Sequence, residues 1–514
     1  MTRTHRFLGG VSVGYVSIVL TTVVGLWLTP FLLGRIGTHE YGLWLITTQI
    51  LGYLMLLDLG VVALAPRETA YATGRLLQGG KDELGPTFAR FRSIVWWQVI
   101  PTGILCFLAW WVIAARWEEL RWPLAAILGA FLLAFPLRLY HATLQGLQDL
   151  AFLGRVQVAA WLVGTAVTVA LVLAQPGLIA LASGWVVTQA ITATACALRL
   201  RQRFASIWNT RAALSIADAR ELFKKSGWVS LAQVGQVFLN GSDLLVLGAI
   251  LGPAATVPYA CTGKLITVLA NHPQLLMQAA APALAEMRTS AGRAHLAQVS
   301  VALMRAMLIL SGAVACFVLA ANETFVVWWV GAPQFAGGML TVLLLAAMLA
   351  RHFATTLIYA LFAFGHERRI SLTAVCDGAV VVIVTAVLAS QTELGLASAA
   401  IGSLAGVVLV SIPAYCLGLA RELQISVGAL FGSLRGWAAR FAAAAAMSLL
   451  GARFMDPQGL DGVAAIGFGV TLVYGAFMWP LALEDPLGPY VRAGAGSVAA
   501  FFGFRRQPVV EPRG

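Results

Sequence analysis

The stretch whose reading decides the fold is Trp228–Gly252, WVSLAQVGQVFLNGSDLLVLGAILG. It is long enough to cross a bilayer, which takes about 20 mostly apolar residues, yet it carries Gln233, Gln236, Asn240 and Asp243. These fall at i, i+3, i+7 and i+10, one stripe down one face of a helix of about 3.6 residues per turn. Facing lipid, the stripe would be costly, since Asp at the centre of a span costs roughly 2.5–3.5 kcal/mol on insertion scales. It therefore points to neighbouring helices or a wet cavity, and the remaining chain reads as a container around that cavity.

Composition agrees. Of 514 residues, 60% are hydrophobic and only 11% charged, with mean hydropathy +0.84, far from the roughly 25% charged residues of soluble domains. The class is an all-α polytopic membrane protein. Its apolar segments run over 9–33, 41–65, 91–114, 122–144, 152–173, 178–199, 228–251, 257–283, 298–320, 338–364, 370–389, 395–419, 436–454 and 462–483. That predicts about fourteen transmembrane helices, with Phe325–Gly331 as a candidate extension of the ninth. The first segment lacks a small-residue cleavage site and reads as a span in preference to a signal peptide. Cys106, Cys196, Cys261, Cys316, Cys376 and Cys416 all lie in apolar runs without metal-ligand spacing and are expected to be small core residues.

Loop charges test the spans independently, because Lys and Arg accumulate on the cytoplasmic side. With the N-terminus inside, 25 of the 34 basic residues fall in inner segments. Only Arg35, Arg116, Arg121 and Arg453 fall outside, and five lie within spans. The same asymmetry accounts for the net charge of +12 without a nucleic-acid partner. Both termini are therefore expected to be cytoplasmic. The outer loops are short, the longest being 321–337, which leaves no room for a folded outer domain of an enzyme.

The longest inner connection, 201–227, divides the chain. Its segment Ala212–Lys225 (AALSIADARELFKK) is predicted to form an amphipathic surface helix. The expected organisation is an N-terminal six-helix lobe over 1–200, the linker 201–227, a C-terminal six-helix lobe over 228–420, two additional helices over 421–483 and a tail over 484–514. The lobes echo each other. Gly37 is followed by Trp44 and Pro66, Gly252 by Tyr259 and Pro282, and Gly146 matches Gly365 at nearly the same offset. That is the signature of a parallel repeat, whose substrate sites lie between pseudo-symmetric halves.

Two stretches carry a family resemblance. TPFLLGRIGTHEYGLWLITTQILGYLMLLDLGVVALAPRETA (Thr29–Ala70) resembles the opening hairpin of the polysaccharide transporter and O-antigen flippase branch of the multidrug/oligosaccharidyl-lipid/polysaccharide (MOP) exporters, and DLLVLGAILGPAATVPYACTGKLI (Asp243–Ile266) resembles its second-lobe counterpart. The resemblance covers about residues 7–420. It implies a V-shaped, two-lobed transporter of the bacterial inner membrane, like the multidrug exporters (MATE) of that superfamily. Its cargo would be an anionic polyprenyl-diphosphate-linked glycan, moved to the outer leaflet by alternating access alongside a polysaccharide polymerase or other assembly proteins. No cofactor or metal is implied. Related alternatives are a lipid II-type flippase, whose charged first helix is absent here, and a multidrug/cation antiporter, whose first-helix carboxylate is missing from 9–33. A membrane enzyme of lipid-linked sugar metabolism is the remaining class.

An anionic cargo needs cationic or donor groups facing inward. Five basic residues lie within spans (Arg138, Lys264, Arg305, Arg351, Arg440) against three acids, Asp58, Asp243 and Asp377. Arg351, near mid-span, is the first candidate for the diphosphate, the alternative being a structural partner for Asp377. Lys264 and Asp243 reach similar depth on consecutive segments, which suits either a salt bridge or substrate contact. Lys264, Asn271 and Gln274 share a face, as do Gln236 and Asn240 on the seventh segment. Arg138 and His141, with Gln145 and Gln148, form a stripe toward the cytoplasmic mouth, where Arg67 also lies. Arg305 and Arg440 can snorkel. Candidates for coupling are Asp243, Asp58 and His272, the last preceding Pro273, where a bend is expected.

Overall fold

The computed structural model describes residues 3–77, 79, 83–210, 215–290, 293–432, 434–455 and 458–492. Among them every regular element is helical. In chain order they are α1 (Arg3–Leu54), α2 (Val61–Leu77), α3 (Leu84–Arg116), α4 (Arg121–Ala134), α5 (Arg138–Gly146), α6 (Leu150–Ala174), α7 (Leu178–Arg203), α8 (Ala205–Asn209), α9 (Ile216–Gly241) and α10 (Asp243–Leu251). There follow α11 (Thr256–Thr262), α12 (Lys264–Ser290), α13 (Arg293–Val330), α14 (Gly338–Ala363), α15 (Glu367–Gln391), α16 (Ala397–Gly406), α17 (Ile412–Leu423), α18 (Val427–Gly432), α19 (Arg435–Met455) and α20 (Gly459–Leu483).

Among the described residues ten helical runs are long and apolar enough to cross a membrane, or eleven counting the bent pair α9–α10. The difference from fourteen has three sources. The first two apolar segments merge into the single 40-residue run Val19–Asp58, which would measure about 60 Å at 1.5 Å per residue. It is not one rod, because Gly37 (φ 80°, ψ 169°) breaks α1 into 3–36 and 38–54. The eighth segment is interrupted between α11 and α12, and the thirteenth, the Ala-rich α19, falls below the hydropathy of a span. Phe325–Gly331 does extend the ninth helix, as α13 runs to Val330. Large apolar side chains such as Trp97, Trp122, Leu133 and Phe468 are exposed, the disposition of a protein whose solvent is hydrocarbon.

The helices pack into two compact units, Met1–Val257 and Pro258–Gly514. The division falls after the seventh apolar segment, not before it at 201–227, because α9 and α10 pack against α1 and α2. Glycines permit this. A Cβ at Gly42 would overlap the Pro253 carbonyl, and one at Gly60 would stand 2.8 Å from Ser226 O and Ser230 Oγ. The separate surface helix expected within 212–225 is also corrected. Residues 211–214 lie outside the described residues, and from Ser215 the chain runs as one helix into the seventh span. Ser215 and Asp218 form a capping box at its start, and Gly227 alone does not stop it. At Pro273, the expected site of a bend, α12 continues as one helix, and the break in this segment lies at Gly263.

In the first unit the core is built by α3, α5 and α7, with Phe88, Phe135, Leu139, Leu144 and Leu200 buried. In the second it is built by α13, α14 and α17, with Met304, Leu308, Leu357, Leu361 and Tyr415 buried. The additional helices α19 and α20 pack on α13. Of the six cysteines five are buried, whereas Cys376 is exposed. Within the tail expected at 484–514, residues 493–514 lie outside the described residues.

The closest helix pairs are α6 with α7 and α15 with α16, and they are built alike. A Cβ at Gly184 would overlap Thr168 Oγ1 and stand 2.6 Å from Gly164 O; one at Gly402 would overlap Thr385 Oγ1 and stand 2.9 Å from Val381 O. Small residues let backbones approach where lipid supplies no hydrophobic drive. The two constructions use residues 217 or 218 apart in sequence, matching the offset of the Gly37 and Gly252 turns (φ 80° and 93°).

Candidate functional site: a two-walled cavity in the first unit

Two helix breaks shape the site. The second apolar segment ends its first part in a 3-10 turn, Met55–Asp58, followed by left-handed Leu59 (φ 50°) and Gly60 (φ 71°). The fourth is interrupted at Phe135–Leu137, where Pro136 supplies no backbone N–H and tightens the helix before Arg138 opens α5. The breaks bring Asp58 and Arg138 together. Arg138 Nη2 donates to Asp58 Oδ2 at 3.2 Å, with the Asp58 side chain 1% exposed and that of Arg138 21%. Asp58 Oδ1 accepts the Gly60 N–H at 2.8 Å, holding the turn, and its carbonyl accepts Gln98 Nε2 at 3.0 Å. The Arg138 guanidinium lies over the rings of Phe131 and Phe135, 5.7 and 5.9 Å from their centroids.

Above this pair opens a cavity of about 780 Å³. One wall, from α2 and α5, carries Arg67, Arg138 and His141; the other, from α6 and α7, carries Gln157, Trp185 and Gln189. Arg67 is exposed to the cavity, its Nε donating to Tyr71 Oη at 3.1 Å and its guanidinium 5.4 Å from that ring. Gln145, Gln233, Thr188 and Thr192 complete the polar lining, and Gln233 Oε1 is buried without a hydrogen bond among the described residues. The one acid of the lining, Asp58, is already paired, so the cavity is net cationic.

The stripe on the seventh segment is only partly in this cavity. Gln233 lines it, whereas Gln236 is exposed elsewhere and the Asn240 side chain lies outside the described residues. Asp243 stands past a 47° bend, in the first turn of α10 and within electrostatic reach of Tyr53. At the break Ser242 Oγ donates to Phe238 O at 2.6 Å, and no side chain caps the restart.

The second unit treats its candidates differently. Arg351, first choice for the diphosphate, is engaged by protein. Nη1 and Nη2 donate to Asp377 at 3.3 and 3.4 Å, and Nε and Nη2 to Ser403 Oγ and O at 3.0 and 3.2 Å. Asp377 is fully buried and also accepts from Ser411, which the π-helical turn Val407–Ser411 brings round. The structural alternative, pairing with Asp377, is the arrangement found, because a buried carboxylate demands a cation. Lys264 opens α12, half-buried beside Cys261. Asn271 is exposed and bonds back to Thr267 O at 3.3 Å, and His272 is exposed too. Gln274 instead meets a residue that sequence reading passed over: buried His352, with Nε2 3.4 Å from Gln274 Nε2 and Nδ1 2.6 Å from Ser311 Oγ. Arg305 and Arg440 bind Asp485 O and Glu484, just beyond α20. Sequence reading also missed Gln157, Trp185 and Gln189. The available signal was the helical spacing of Trp185, Gln189 and Thr192 at i, i+4 and i+7.

This fold is similar to that of solved multi-pass membrane transporters. It matches a multidrug resistance MATE family transporter in an inward-facing conformation (13% identity, 78% of this chain and 94% of that one, TM-score 0.56). It also matches the lipid II flippase MurJ in an inward closed conformation (10% identity, 91% and 99%, TM-score 0.56) and a MATE crystallised with MaD3S (12%, 81% and 94%, TM-score 0.53). Residues 89–332 match the polysaccharide biosynthesis protein family. No curated protein sequence matches the chain.

Proposed function

We propose that the chain is a flippase carrying a polyprenyl-diphosphate-linked sugar, an O-antigen or other surface-polysaccharide unit, from the inner to the outer leaflet of a bacterial inner membrane by alternating access. The observation that carries this reading is the net-cationic cavity of the first unit. Arg138 and Arg67, with His141 between, present guanidinium donors to a space too large for an inorganic anion alone. Phosphate oxygens accept such donors in short, charge-assisted bonds. The reading is supported by the family match over 89–332 and by the fold shared with a lipid II flippase. Cytoplasmic termini follow from the distribution of basic residues between the loops.

Arg138 serves as the diphosphate ligand, and Asp58 neutralises it when the cavity holds no cargo. Arg351 holds its own unit together and does not meet cargo. Complementation of a flippase-deficient strain tests this. Because Arg138→Ala alone would strand the Asp58 carboxylate, the informative variant is Arg138→Gln with Asp58→Asn, which keeps hydrogen bonding and removes both charges. Membrane-inserted Arg138→Gln/Asp58→Asn and Arg67→Ala are expected to restore less than a tenth of surface polysaccharide. Full complementation by both would overturn the assignment.

A further inference from the structure

The α6–α7 wall is chemically unlike the basic wall opposite. Gln157, Trp185 and Gln189 line the cavity, and among the described residues neither amide nor the indole N–H makes a hydrogen bond. The neighbouring hydroxyls are committed: Thr188 Oγ1 donates within reach of Gly184 O (2.9 Å) and Ala160 O (3.3 Å), and Thr192 Oγ1 to Thr188 O (2.8 Å). Open amides within membrane-spanning helices are costly unless something polar meets them. The wall is also rigid, since Gly164, Thr168, Gly184 and Thr188 interlock its two helices.

Each amide both donates and accepts, which matches a hydroxyl group and does not discriminate in favour of a phosphate. The indole adds a flat apolar face with a polar edge, which matches the C–H face of a pyranose ring. No charge on this wall would hold a drug cation. We propose that Gln157, Trp185 and Gln189 form a sugar subsite, seating the hexose next to the diphosphate while Arg138 and Arg67 hold the diphosphate itself. The inference rests on the flippase reading and names the part of the cargo that the second wall recognises.

The test is binding to the full chain in nanodiscs. The probes are undecaprenyl diphosphate and the same lipid bearing one glucose, galactose or N-acetylglucosamine. At least one glycosylated lipid is expected to bind about tenfold tighter than the bare one. Trp185→Ala and Gln189→Leu should each erase most of that advantage and leave the bare lipid unchanged, and Trp185→Phe should keep it. Equal binding of all four lipids by the wild type, or an unchanged ratio in Gln189→Leu and whichever Trp185 variant folds, overturns the subsite. The diphosphate reading fails separately, if Arg138→Gln/Asp58→Asn binds the bare lipid as tightly as wild type.

Discussion

At the scale of single residues the molecule turns on what each buried carboxylate holds. Asp377 accepts from Arg351 and Ser411, so removing the cation alone leaves a charge with nothing to balance it, a loss of about 3–5 kcal/mol. Arg351→Ala is therefore expected to lower the unfolding temperature in detergent by several degrees, and Arg351→Gln with Asp377→Asn to regain most of it and still transport. Loss of transport by the folded double variant would make Arg351 a cargo ligand after all. That Arg351 and Asp377 could pair was legible from their spans. That Arg138 would meet Asp58 was not, because both lie at helix breaks and the contact depends on a 3-10 turn that hydropathy does not register. His352 escaped notice for a related reason: beside Arg351 in an apolar run, nothing in its neighbours signals that Ser311 and Gln274 converge on it.

At the scale of elements the interlocked pair α6–α7 decides whether the cavity has a firm wall. Gly184→Ala puts a methyl group onto Thr168 Oγ1 and 2.6 Å from a backbone carbonyl. Removing Thr168 relieves the first clash and not the second. Gly184→Ala is expected to cut the yield of monodisperse protein severalfold and Gly184→Ala/Thr168→Ala to restore part of it; size-exclusion profiles in detergent check this, and an undisturbed single variant would show the contact to be slack. Apolar runs revealed which segments cross the membrane and roughly where each ends, since burial in lipid is a property of composition. They could not reveal where a run breaks. The interruptions at Met55–Gly60, Phe135–Leu137 and Ser242 are failures of backbone hydrogen bonding inside unbroken hydropathy. The same blindness hid the continuity of α9, whose polar inner turns read as a separate surface helix.

At the scale of the whole molecule the proposed function raises the question of what would drive export. A cargo with about two negative charges, leaving a negative interior, gains roughly 2.3 kcal/mol per charge per 100 mV, or about 4.6 kcal/mol in total. Transport by proteoliposomes is accordingly expected to fall severalfold when the potential is collapsed with valinomycin at equal potassium and to persist without a pH or sodium gradient. The opposite pattern would move the drive to an ion site such as Asp58, Asp243 or His272. The fold class was readable from the apolar runs, and glycines recurring at nearly one offset suggested an internal repeat. The location of the cavity was not, since the two halves have diverged in their polar residues while sharing their apolar ones.

That divergence can be traced to one address. Counting from Thr168 and Thr385, 217 residues apart, the position matching Asp377 is Ala160, and the position matching Arg351 is Ala134, about one helical turn before Arg138. In one unit a buried acid on the adjoining helix holds Arg351; in the other a methyl group occupies the matching spot, and Arg138 pairs with Asp58 from a different element and keeps one side toward the cavity. On the proposed reading the two units divide the labour, one arginine serving as ballast and the other as a grip.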